Sequence, residues 1–516
     1  MHRSLEILEI REHICAHLTR VLPPAPRYPG DTGTDMTWRV VGGPALAALA
    51  STCHLFEDPA LDVLWRTQST LVNFLRCFPE DVLLVEGSQY RHQTHFLRAI
   101  TPSDWERPRF YAQRIRHFSL QRDLFLNIPE IPSALRLGLV GHVLFPRLQL
   151  FSWHFTNPRL EPYIDLFLGP HVTSLTTTVS LSDAEVSLIL PIAPQLKHAN
   201  IISRRELASS FARSLLCIES LCISEIDSVA WQHIGSLPSL KSLDLTYMTR
   251  GVVPSLHPTV PLFIGLEKLN LASSPITTVS RILTLVSSSP IIDLQSVNGG
   301  DPHEFFTTIA AHCSHATLAI FGHTFRPAAG DNYAIRSPAI RVLFPFGNLT
   351  EMKIISDMAA FDLDDDMVLE MASAWPQIVT LVLKVSAGGY AGTHPPAWLA
   401  NGRPRFTLAA LAHLAHRCPS LQTLELTVDA TVIPSSWEPC AQTALTALHV
   451  GHSPITETAI SPVATFIRTI FPALRSVSAA PRPSPLLTPY HGWVTYGNLH
   501  ENKWLVVSAQ LRECCD

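Results

Sequence analysis

One short phrase recurs along most of this 516-residue chain: an apolar residue, two of any kind, a second apolar residue, one of any kind, then a third apolar residue. It reads Ile115, Phe118, Leu120; Leu196, Ala199, Ile201; Ile218, Leu221, Ile223; Leu240, Leu243, Leu245; and Leu266, Leu269, Leu271. It returns as Leu349, Met352, Ile354; Ile378, Leu381, Leu383; Leu421, Leu424, Leu426; Leu445, Leu448, Val450; and Leu474, Val477, Ala479. A further copy, Val172 and Leu175, has the polar Thr177 in third place. The central positions 175, 199, 221, 243 and 269 lie 24, 22, 22 and 26 residues apart. A fixed pattern at a short, nearly constant step marks a stack of similar units, each burying its apolar face against the next.

Side chains alternate across a strand, so the apolar pair at i and i+2 points inward and the residue between them faces solvent. The rest of each period must return the chain, and TVSRILTLVSSSP and TLAALAHLAHRCPSLQTLEL show how: a helical run, a proline stop, then the phrase. Proline ends the 3.6-residue periodicity and pushes the residue before it towards extended backbone. These features predict an α/β leucine-rich-repeat solenoid, whose usual period is 20–29 residues. An open α/β sheet is the structural rival, but it does not require one phrase at one step.

Two steps are long. Met352 to Leu381 is followed by 43 residues to Leu424, and the excess is the Gly/Pro-rich SAGGYAGTHPPAWLANGRPRF. A second excess lies near FGHTFRPAAGDNYAIRSPAIRVLF. Extra residues in a repeat array are carried as loops and often border the binding face. Insertions near 322–342 and 386–407 are therefore expected, with Tyr333, Tyr390 and Trp398 as candidate substrate-side aromatics.

Residues 1–78 read as a small all-helical module, 79–115 as a linker that caps the array, and 116–516 as the irregular repeat solenoid. Leu8, Ile10, Ile14 and Leu18 line one face of a first helix, with Glu9, Arg11 and Glu12 outside it. The prolines and glycines of residues 22–44 predict a loop. Leu46, Leu49 and Cys53 then face inward from one short helix and Leu61, Leu64 and Trp65 from another, which Pro59 would open. A third helix is expected through Leu71, Phe74, Leu75 and Phe78.

Composition excludes more than it assigns. Lys plus Arg is 38 against Asp plus Glu 43, a net charge of −5, which speaks against broad capture of nucleic acid. No run approaches the roughly 18 uncharged apolar residues that cross a bilayer, and the first residues lack the apolar core of an export signal. Ten cysteines without dense spacing fit reduced thiols in cytoplasm or nucleus. No phosphate cradle, dinucleotide fingerprint, zinc helix or nucleophile elbow occurs, so neither an enzyme nor a cofactor or metal is expected. His413, His416 and Cys418 lack the further ligands that would complete a zinc site. Asp362, Asp364, Asp365 and Asp366 lack the glycine turn of a calcium loop and suit instead the N–H end of a helix.

The front of the chain carries a resemblance. ILEIREHICAHL followed by ALAALASTCHLFEDPALDVLWRTQSTLVNFLRCFPEDV resembles the F-box region of the mushroom-type fungal F-box and leucine-rich-repeat proteins. Leu8, Ile10, Ile14 and Leu18 match its first helix; Leu49, Cys53, Phe56, Pro59, Ala60, Leu64 and Trp65 match its later core. DWERPRFYAQRIRHFSL is similar to the linker of that group, and LFPRLQLFSW to an early repeat. The resemblance implies a substrate receptor of a Skp1–cullin–F-box ubiquitin ligase, with a Skp1-like adaptor and a protein substrate as partners. It places the candidate Skp1 contacts among Leu8, Ile10, Ile14, Leu18, Leu49, Phe56, Pro59, Leu64 and Trp65. A ligase-independent repeat scaffold, its front module a cap, is the alternative.

Overall fold

The computed structural model describes residues 7–18, 20–22, 39–88, 91–120, 130–139, 143–154, 161–246, 261–272, 275–326, 334–356, 361–385, 404–435, 440, 442–451, 453–479 and 500–513. They form two compact units, Met1–Leu240 and Lys241–Asp516. Tyr333, Tyr390 and Trp398 lie outside the described residues.

In the first unit the strands Thr67–Gln68, His117–Leu120, Leu150–Trp153, Ser174–Leu181, His198–Ser203 and Ser220–Ile223 pair in parallel, each with its neighbour in sequence. The register aligns Phe118, Phe151, Leu175, Ala199 and Leu221 in one buried column. Aromatic rings fill its start: Phe118 stacks on Phe167 at 5.3 Å and meets Phe145 edge-on at 4.9 Å. The polar Thr177 falls at an irregularity in the pairing of Ser174–Leu181 with His198–Ser203. Its hydroxyl donates to the Asn200 carbonyl at 3.2 Å and accepts from the Ile202 amide at 3.3 Å, satisfying groups that the bulge takes out of the ladder.

The second unit repeats the scheme with Ser242–Leu245, Lys268–Ala272, Asp293–Asn298, Ile320–Phe325, Glu351–Ser356, Thr380–Val385, Thr423–Leu426, Ala447–His449 and Val477–Ser478. All pair in parallel and in sequence order, without the reversal of strand order that an open doubly wound sheet contains. Leu243, Leu269, Leu294, Phe321, Met352, Leu381, Leu424, Leu448 and Val477 form one buried column. The helices Ile276–Leu285, Pro302–His312, Asp365–Ala374, Leu408–Arg417 and Ile460–Ile470 return the chain. This is an α/β fold on a large parallel sheet.

The same backbone linkage joins successive repeats in both units. In most repeats the carbonyl of the residue before the strand accepts two amides from the next repeat: Thr173 from Lys197 and His198, Glu267 from Ile292 and Asp293, Thr350 from Val379 and Thr380. Pairing is thus set at the start of each strand, where the phrase begins.

Three placements differ from the sequence reading. Asp293–Asn298 and Ile320–Phe325 are full members of the sheet, although Ser296 and His323 stand in the third apolar place. The two polar groups meet, Ser296 Oγ lying 2.9 Å from His323 Nδ1, and the imidazole stacks on Phe305 at 4.5 Å. The expected insertion near 322–342 is correspondingly shorter: residues 322–325 are strand and Ser337–Arg341 is helix. Residues 67–78, grouped above with the helical module, belong with the sheet, since Thr67–Gln68 pairs with His117–Phe118 and Phe74 packs against Phe145 at 5.4 Å.

Leu243 and Leu269 are each 1% exposed. Truncating either to Ala is expected to cost about 2–5 kcal/mol through the cavity left behind. Asn270→Ala, on the opposite face, is expected to cost about 1 kcal/mol, the worth of its single hydrogen bond to Asp244. Urea denaturation followed by circular dichroism measures both; equal losses would reverse the inward and outward assignment.

Candidate partner-binding surfaces

The front module is built from the helices Leu8–Leu18, Gly43–Ala50 and His54–Arg66. Between the first two, Arg20–Leu22 pairs antiparallel with Arg39–Val41, so the ends of the expected 22–44 loop form a ribbon and the next helix begins at Gly43. Gly42, at φ 106°, makes the left-handed turn into that helix. Cys15, Leu46, Phe56 and Ala60 form the buried centre, with Ile14, Leu49, Cys53, Val63 and Leu64 packed around it.

Pro59 does not open a helix; it sits inside His54–Arg66 and is buried. A proline there has no amide for the carbonyl four residues back, that of Leu55. Arg11 supplies the missing donor, its Nη1 lying 2.7 Å from the Leu55 oxygen. Arg11 therefore turns towards the module, not away from it as the periodicity suggested. The signal was in the sequence, but only as a proline five residues into a helix whose start was unknown.

The nine candidate contacts divide. Ile14, Leu49, Phe56, Pro59 and Leu64 point into the module. Ile10 is half-buried, and Leu8 and Leu18 are 48% and 41% exposed. Ile7 and Leu55 are also exposed, at 49% and 38%, and the Arg11 bond holds the Leu55 backbone against the first helix. Trp65 goes elsewhere: it stacks on Tyr111 of the Glu106–Ala112 helix, ring centroids 4.4 Å apart. Arg114 adds a second tie, pairing with both Asp58 and Asp62. The last helix of the module is thus fastened to the start of the sheet.

A second surface is the outward face of the strands in the second unit, where Asp244, Asn270, Gln295, Gly322, Lys353, Val382, Glu425 and His449 occupy one row. Its charges are largely matched: Lys353 pairs with Glu351 at 2.7 Å and Lys384 with Glu425 at 2.9 Å. Gln295, held by Asp293 at 2.8 Å, lies across Gly322, where a β-carbon would collide with its amide. Asp244 differs. Asn270 donates to its Oδ2 at 3.1 Å, while Oδ1 is buried with no partner among the described residues. Burial outweighs that bond and raises the carboxyl to about 6.

The acidic cluster behaves as a helix start. Asp364 caps Asp365–Ala374 by accepting from the Met367 amide at 3.1 Å. Asp365 accepts from the amide and hydroxyl of Thr407 at 2.7 and 2.6 Å, and Asp362 pairs with Arg405 at 2.8 Å. Arg336, on a short strand paired with Phe361–Asp362, also reaches Asp362, at 3.8 Å. The far ends of both insertions are therefore anchored on one carboxylate. Cys418 is buried, and burial pushes its thiol up to about 12, so it stays protonated at neutral pH. Among the described residues no group of three His, Cys, Asp or Glu is placed to hold a metal ion, and no helix is long and apolar enough to cross a membrane.

These features are those of an α/β fold on a large parallel sheet, an arrangement compatible with a solenoid-like repeat protein. No family model matches the chain, and no curated protein matches it.

Asp244 gives a pH-dependent stability of stated sign. Its folded value of about 6 lies above the unfolded value of 3.8, so the folded chain holds the proton more tightly. Stability is then greatest below the unfolded value, falls as pH rises towards 6, and is level above it. Asp244→Asn is expected to be more stable than the parent at pH 7.5 by about 3 kcal/mol, with no difference at pH 3.5. Urea midpoints at the two pH values measure this, and a variant less stable at pH 7.5 would refute it.

Proposed function

We propose that this protein is a substrate-recognition adaptor of a Skp1–cullin–F-box ubiquitin ligase: an F-box-like module docking a Skp1-like protein, and a leucine-rich-repeat solenoid holding the substrate. The observation that carries the reading is the set of exposed aliphatic side chains on the front module. Its interior is already filled by Cys15, Leu46, Phe56 and Ala60, yet Ile7, Leu8, Leu18 and Leu55 remain 38–49% exposed. A unit of this size that leaves four aliphatic side chains in water gains by covering them with a partner. The chain would supply proximity and orientation, and the chemistry of ubiquitin transfer would lie in other subunits. The cytoplasm or nucleus is the compartment this assigns.

The ties between Trp65 and Tyr111, and between Arg114 and the two aspartates, favour a second reading. They are what a cap needs, and a ligase-independent scaffold would use them without any Skp1 contact.

Copurification separates the two. The full chain with Skp1 is expected to elute as a heterodimer, and Leu8→Asp with Leu18→Asp is expected to weaken binding about 30-fold, the loss of roughly 2 kcal/mol at an interface core. Both residues are exposed, so the variant should keep its circular dichroism. A folded parent chain that does not bind Skp1 at micromolar concentration would favour the scaffold.

A further inference from the structure

The residue before each strand is held by the backbone linkage between repeats, so its side chain has a set station along one rim of the sheet. In the first unit these stations carry Arg66, Arg116, Gln149, Thr173, Lys197 and Glu219. Lys197 and Glu219 neutralise one another at 3.1 Å. The arginines have no such relief. The Arg116 amide donates to the Arg66 carbonyl at 2.9 Å, which makes the two residues backbone neighbours. Arg147 comes from the turn into the next strand, two residues before Gln149, whose amide donates to the Arg116 carbonyl at 2.8 Å.

Arg66 and Arg147 are exposed, and neither guanidinium has a hydrogen bond or ion pair among the described residues. Arg116 is half-buried and donates through Nη1 to the Gln113 carbonyl at 2.6 Å. Asp62 is within electrostatic reach of Arg116, but it and Asp58 are both engaged by Arg114. Burial, together with the charges of Arg147 and Arg66, draws Arg116 below the usual arginine range. Burial, Arg66 and Arg116 lower His117 in the same way. A shallow depression is lined by Thr67 and His117, the residues after Arg66 and Arg116, together with Gln68, Ser69, Ser119 and Leu150, and the buried Ser119 hydroxyl there has no partner among the described residues.

We propose that Arg66, Arg116 and Arg147 form a docking site for a phosphorylated side chain of a protein partner. A phosphoryl group carries nearly two charges and three acceptor oxygens, and guanidinium forks meet such oxygens in pairs. A carboxylate has one charge and would leave most of the cluster uncompensated. A nucleic-acid backbone needs a longer basic track, and this one ends at the Lys197–Glu219 pair. The site does not depend on Skp1 binding, so either reading of the front module can stand or fall without it.

The test uses the full chain and fluorescein-labelled degenerate nonapeptide pools with phosphoserine, serine or glutamate at the centre. Fluorescence anisotropy is expected to show the phosphoserine pool binding at least ~10-fold tighter than the other two, with the preference shrinking as salt rises. Arg66→Ala with Arg147→Ala should abolish the preference, while Arg205→Ala, an exposed residue on the Arg205–Ser214 helix, should preserve it. Circular dichroism checks folding; should the double alanine variant not fold, Arg66→Lys with Arg147→Lys keeps the charge and should still weaken the preference. Equal binding of the phosphoserine and serine pools would overturn the proposal, as would a glutamate pool that matches phosphoserine. A preference untouched in a folded double variant would overturn it as well.

Discussion

Everything in this molecule hangs on parallel register. Most repeats hand the next one a single carbonyl, on the residue before the strand, and that oxygen accepts two amides. Parallel strands joined this way cannot slip by one residue without turning their leucines out to water and their polar residues in. The columns Phe118–Phe151–Leu175 and Leu243–Leu269–Leu294 are the result, and every surface considered above is positioned by them. Side chains on the outward face, at the rim and at the insertions all take their stations from where the ladder places the backbone.

Two departures from the apolar columns show how polar residues are received there. Thr177 bonds backbone groups freed by a bulge, and Ser296 and His323 meet across neighbouring strands. Burial lowers His323 to about 3, so it is neutral at physiological pH and packs as an aromatic ring against Phe305. A charged imidazole there would carry an unpaired buried charge, which the fold does not tolerate. The array thus accepts these departures from its leucine pattern with partners that offset part of the desolvation cost.

The front module shows a different balance. Its core is small, and its geometry relies on polar ties: Arg11 to the Leu55 carbonyl within it, Arg114 to Asp58 and Asp62 beyond it. These bonds commit Arg11 of the first helix and one side of the last, while Ile7, Leu8, Leu18 and Leu55 stay exposed. Trp65, the most prominent aromatic of the module, is spent on the same attachment through Tyr111. An arginine-rich rim follows directly, since Arg66 ends the last helix and begins the sheet.

By itself the sequence determined the α/β class, the strands of nearly every full copy of the phrase, the helices after Pro275 and Thr407, and the capping role of the Asp364 cluster. These follow from period and composition, which act over a few residues and leave a local trace. Tertiary structure alone decided that Ser296 and His323 sit in the core, because the partner that makes each acceptable is 27 residues away. It also decided that residues 67–78 join the sheet, that Arg11 faces inward and that Trp65 serves attachment. Each of those outcomes depends on a group distant in sequence, and a pattern read along one chain carries no information about what will lie beside it across a ladder.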